Sequence, residues 1–92
     1  MDRSARAQAI ERTLSEKLDA QHVEVLDQSA LHEDHLGAQG GGHFHVVVVS
    51  ERFCGLSRVA AQRAVYEALS DLMEHEIHAI SMRTLTPDEW PG

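Results

Sequence analysis

The sequence predicts an α+β domain with element order α-β-β-α-β. It would form a three-stranded mixed sheet with both helices on one face and a short helical turn at the C-terminus. Three observations carry this reading. An apolar stripe at three-and-four spacing opens the chain, a second lies beyond residue 58, and three short runs rich in β-branched residues separate and follow them. The connections then fix the pairing. The first two strands, joined by a loop, pair antiparallel, and the last two, joined by a helix, are parallel through a right-handed crossover.

Residues 2 to about 20 form the first helix. Ala7, Ile10, Leu14 and Leu18 make its apolar stripe, and Glu11, Arg12, Glu16 and Lys17 take the other sides. Val23 to Asp27 is a short strand. Residues 29–42 are a loop, because Gly37, Gly40, Gly41 and Gly42 support no regular structure cheaply. His43 to Ser50 is the strongest strand, and its four consecutive valines predict a central strand covered on both faces. His43 and His45 fall on one side of it with Val47 and Val49. Residues 51–57 turn around Gly55, and Ser57 caps a second helix from about Arg58 to Glu74. Ala61, Val65, Leu69, Leu72 and Met73 are the buried stripe of that helix. Ile77 to Thr84 is the third strand, on which simple alternation puts His78 on the side of Ile80 and Met82. Thr86 then caps a helical turn with Pro87 at its first position.

Composition bounds the function. A length of 92 residues, 42% apolar and 25% charged, is that of one globular domain spanning 1–92. Eight Lys and Arg against 15 Asp and Glu give a net charge of −7, which opposes non-specific binding to nucleic acid. A local basic face would have to come from Arg52, Arg58 and Arg63. The single Cys54 excludes an intramolecular disulfide and fits a reducing compartment. The first six residues are polar, unlike a secretory signal, and no apolar run approaches the roughly 20 residues of a membrane span. A cytoplasmic protein without a membrane role is expected. There is no Walker loop, nucleophile elbow or Cys-x-x-Cys, and no catalytic carboxylate pair can be identified, so an enzyme is not expected.

Histidine is the residue type that invites chemistry. Of the seven, His32, His35, His43 and His45 straddle the glycine-rich loop, and His78 opens the last strand. Neutral imidazole is a borderline metal ligand. With one cysteine in the chain, any thiolate-rich site would draw its sulfur from a partner. Spacing alone makes His78 a partly buried strand residue bonded to a carbonyl, and His32 and His35 solvated loop residues. His43 reads as a structural residue at the loop's exit, although His43 and His45, one residue apart on a strand, also have chelating spacing. His22 and His75 read as solvated, and Cys54 as an incidental thiol. Trp90 reads as the anchor of the C-terminal tail, or as an interface residue near His78.

Four blocks add a resemblance. Ser29-Ala30-Leu31-His32, His43-Phe44-His45-Val46-Val47-Val48-Val49-Ser50-Glu51-Arg52-Phe53-Cys54-Gly55, Ile77-His78-Ala79-Ile80 and Thr86-Pro87-Asp88-Glu89-Trp90 together resemble the BolA family. The blocks stand in the family's order and cover about residues 10 to 90. The resemblance implies a class II KH-like αββαβ fold. It also implies a partnership with a monothiol glutaredoxin that shares a [2Fe-2S] cluster, held on the partner's side by its cysteine and a glutathione thiolate. His78 matches the family's strand ligand. His32, three residues after Ser29, matches the loop ligand, with His35 a rival three residues on. Such a protein would serve iron regulation or cluster assembly and delivery, as a free monomer or homodimer. The alternative is a DNA-binding transcription regulator using the turn Phe53-Cys54-Gly55-Leu56-Ser57 and the helix after it, although a Gly-x-x-Gly loop is missing. Two features depart from the family pattern: a longer, glycine-richer loop after Ser29, and Ala61-Gln62-Arg63 in place of an Arg-His-Arg-like segment.

Overall fold

A computed structural model of the chain describes residues 3–28 and 42–91. The elements are α1 (Arg3–Lys17), β1 (His22–Asp27), β2 (Gly42–Val49), a 3-10 turn (Glu51–Phe53), α2 (Arg58–Ala68), α3 (Ser70–His75), β3 (Ile77–Leu85) and a second 3-10 turn (Pro87–Glu89). The sheet order is β1-β2-β3, with β1 antiparallel and β3 parallel to the central strand, as the connections predict.

One face of the sheet carries the core. Ile10, Leu14 and Leu18 of α1 meet Phe44, Val46 and Val48 of β2, and Ala61, Val65, Ala68 and Leu69 complete the cluster from the second helical region. At about 25 cal/mol per Å² of apolar surface removed from water, burial of these side chains is the main term holding both helices to the sheet. The opposite face is covered by no helix among the described residues. The expectation that β2 is covered on both sides is therefore corrected: Val47 is only half-buried, and the valine run reflects a central position between two strands.

The single helix expected from 58 to 74 is two segments. Leu69, fully buried, leaves helical geometry at φ −96° and ψ 8°, and Ser70 starts α3. The bonds Leu69 N–H to Val65 O (3.0 Å) and Met73 N–H to Leu69 O (2.9 Å) carry the chain through the bend. Ser57 caps α2 as expected, its hydroxyl accepting from Ala60 N–H at 3.1 Å. Ser50, fully buried, donates to Leu18 O at 2.6 Å and accepts from Arg52 N–H at 3.0 Å. It thereby ties the end of β2 to the segment that follows α1.

Candidate functional site

The uncovered face is built by strand alternation. On β2 it displays His43, His45 and Val47, while Phe44, Val46 and Val48 point into the core. Register partners share a side, so Glu24 lies beside Val47, Leu26 beside His45, Ala79 beside His43 and Ser81 beside His45. Ser81 Oγ and His45 Nδ1 share a 2.7 Å hydrogen bond across this face.

His78 reaches the same face by an irregularity. Gly42 pairs with Ile77 and His43 with Ala79, so β3 carries one extra residue there, a β-bulge at His78. Ile77 is buried, whereas both His78 and Ala79 are exposed. Strict alternation from Ile80 and Met82 misplaces His78. The bulge resets the phase and turns the imidazole out beside His43, with ring centroids 5.1 Å apart and the planes tilted by 40°. His78 is exposed, not half-buried, and the carbonyl partner expected for it is not found among the described residues. Among the described residues, no hydrogen bond or ion pair engages it, and His43 is its ring neighbour.

This end of the sheet is also where the long loop leaves and returns. Gln28 N–H donates to His43 O at 2.7 Å, and Gly42 N–H donates to Glu76 O at 3.1 Å. The backbone of His43 does fix the loop's exit, as expected. Its ring lies 5.1 Å from that of His78, a neighbour that follows only from the register of the two runs beginning at 43 and 77. His32 and His35, the two loop ligands expected, lie outside the described residues.

Among the described residues, the side chains that meet here are the imidazoles of His43 and His78. Cys54 is exposed in the turn after β2, at the opposite end of that strand from His43. Among the described residues, no group of three or more His, Cys, Asp or Glu could hold a metal ion. The described side chains at this end could therefore hold a metal ion only together with further donors.

Of the two remaining described histidines, His22 stands at the far end of the sheet, whereas His75 closes α3 just before Glu76. His22, expected to be solvated, bonds Glu24 Oε2 through Nε2 at 2.8 Å and stacks on Trp90, with ring centroids 4.6 Å apart. His22 is the register partner of Val49, so Trp90 anchors the tail there and is not beside His78. His75 is exposed, with Nε2 3.7 Å from Glu74 Oε2.

A second concave feature lies beside α2. A polar groove of about 810 Å³ is lined by Phe53, Leu56, Ser57, Arg58, Arg83 and Glu89, among others. The Glu89 carboxyl is held below its ordinary value of 4.5, first by hydrogen bonds from the Thr86 backbone and hydroxyl and further by the positive charges of Arg58 and Arg83.

Comparison with known proteins returns one family. The family model described as BolA-like protein matches residues 14–89. The DNA-binding transcriptional regulator BolA of Vibrio cholerae is 40% identical over 81 residues, 88% of this chain and 74% of that protein. Among solved structures, the BolA domain of SufE1 from Arabidopsis thaliana superposes with a TM-score of 0.81 at 35% identity, covering 94% of this chain and 96% of the other. BolA1 from the same plant gives 0.78 at 31% identity over 94% and 96%.

Proposed function

The chain belongs to the BolA family, and from that premise we propose that it is a binding partner of a monothiol glutaredoxin, not an enzyme, and co-ligates a [2Fe-2S] cluster through histidine. The observation that supports this most is His78. A bulge turns its imidazole out of the sheet with no hydrogen-bond partner among the described residues, at the end where the histidine-bearing loop begins and ends. His78 is the strand ligand in this reading. His32 is the loop ligand, with His35 its rival; the glutaredoxin cysteine and glutathione supply the sulfur. Mixed imidazole and thiolate ligation raises the cluster's potential over an all-cysteine site, which suits iron regulation or cluster delivery. The residues of this chain bind and orient; the partner brings the thiolates.

The test is to mix the chain anaerobically with a monothiol glutaredoxin, glutathione, iron and sulfide, and to record visible absorption and circular dichroism. A spectrum distinct from that of the glutaredoxin homodimer, lost with His78→Ala, is expected. A change with His32→Ala but not His35→Ala would assign the loop ligand. A spectrum identical to glutaredoxin alone would end the proposal.

A second reading, duplex DNA as partner, is favoured by one observation. Arg58 and Arg83 line the groove formed by the turn before α2 and the end of β3, and the Vibrio cholerae relative is named a DNA-binding regulator. Binding that survives near physiological ionic strength and weakens with Arg58→Ala would support it.

A further inference from the structure

We infer that the outer edge of β3 is a self-association surface, to which a second copy of the chain adds its own β3 in antiparallel pairing. The inference does not rest on the cluster reading.

The edge is open. β3 is the last strand of the sheet, and among the described residues nothing pairs with its outer side. The C-terminal tail turns inward from it, since Trp90 stacks on His22 of β1. Leu85 O accepts from Ser50 N–H at 3.0 Å and so faces β2. By alternation Ala79, Ser81 and Arg83 turn their backbone groups the same way, whereas Ile80, Met82 and Thr84 turn theirs outward. The groove of about 810 Å³ beside α2 has Met82, Arg83 and Thr84 in its wall, which gives an added strand room along this edge.

The two edges of the sheet are guarded differently. Natural edge strands are protected by shortness and by charge, and β1 has both, with six residues that include Glu24 and Asp27. β3 is nine residues long, without proline, and Arg83 is its only Lys, Arg, Asp or Glu. Its Ile80 and Met82 are only partly buried against the core.

The symmetry of the strand selects a second copy as the occupant. Pairing all nine residues of β3 with themselves, antiparallel, puts Ser81 on the two-fold axis. Ile80 of one copy then meets Met82 of the other as an apolar hydrogen-bonded pair, and the axis makes this contact twice. Arg83 faces Ala79. The two Arg83 residues stand four positions apart along the ladder, about 14 Å, beyond the screening length of about 8 Å, so no like charges are opposed. Ser81, whose backbone groups face β2, meets its counterpart as a non-hydrogen-bonded pair with Cα atoms about 4.5 Å apart.

The experiment is sedimentation equilibrium of the untagged full chain carrying Cys54→Ser, from micromolar to millimolar concentration, so that the exposed thiol adds no cross-link. A reversible dimer is expected, tighter at higher salt because each copy carries a charge of −7. Ser81→Lys sets two ammonium groups face to face at an exposed position and should weaken the dimer at least tenfold, with circular dichroism to confirm folding. Leu26→Lys, exposed on β1, should leave it unchanged. In the same background Ser81→Cys should cross-link two chains on mild oxidation and Arg83→Cys should not, since a disulfide needs Cα atoms within about 7 Å. A monomer at every concentration, a dimer indifferent to Ser81→Lys, or a dimer lost with Leu26→Lys would overturn the inference. Equal cross-linking through positions 81 and 83 would do the same. Glutaredoxin is absent throughout, so failure here leaves the cluster reading untouched.

Discussion

Ser50 shows how much one small side chain decides. Its hydroxyl is fully buried and works twice, donating to Leu18 O and accepting from Arg52 N–H. Replacement by alanine leaves a buried carbonyl unpaired, and buried groups left unsatisfied cost about 1–3 kcal/mol. Ser50→Ala is expected to lower the free energy of unfolding by that amount, seen in urea as a lower midpoint with an unchanged slope. Glu89 supplies a pH-dependent counterpart. Thr86 N–H donates to its Oε1 at 2.9 Å and the Thr86 hydroxyl donates at 3.1 Å. The folded carboxyl is thereby held below 4.5, so its contribution is complete above that value and disappears as pH falls through the lowered one. Trp90 fluorescence should therefore report loosening of the tail below about pH 4.5, and Glu89→Gln should remove that transition. The capping residues were legible, since Thr, Pro and Glu at these offsets are a local code. The bond of Ser50 to Leu18 and the stacking of His22 on Trp90 were not, because those partners lie far along the chain.

At the scale of elements, periodicity reads the helices well. The expected stripe of α1 is the observed one, with Ile10 and Leu14 essentially inaccessible. Leu14 meets the central strand's apolar face, so Leu14→Ala removes buried methyl groups and leaves a cavity at a cost of roughly 3–5 kcal/mol. Since small domains are stable by only about 5–15 kcal/mol, a large fall in thermal midpoint is expected in a calorimetric scan. Two element-level features escaped the sequence for a common reason: each is a phase error inside an otherwise regular pattern. The bend at Leu69 keeps the apolar spacing intact across it, so no Gly or Pro announces it. The bulge at His78 adds one residue to β3 against β2, and register belongs to the pair of strands. The side on which His78 stands follows from that register, which is why the strand was legible and the candidate site only partly so.

At the scale of the whole molecule, the two ends of the sheet divide the work. Trp90 and His22 close one end, and His43 with His78 marks the other, where the loop between β1 and β2 begins and ends. A net charge of −7 surrounds both, and beyond β1 the only Lys or Arg residues are Arg52, Arg58, Arg63 and Arg83. Arg52 Nη2 already pairs with Asp19 Oδ2 at 3.1 Å. A duplex docking along α2 and the groove would therefore neutralise about three phosphates, and the logarithm of its binding constant should fall with that of salt at a slope of roughly −2.7. A fluorescence-anisotropy titration over a range of salt concentrations measures this directly. A slope near that value, reduced by about one unit in Arg58→Ala, would locate DNA on α2 and leave the histidine end free for a second partner. A much steeper slope would require cations that this half of the chain does not possess and would exclude docking through α2.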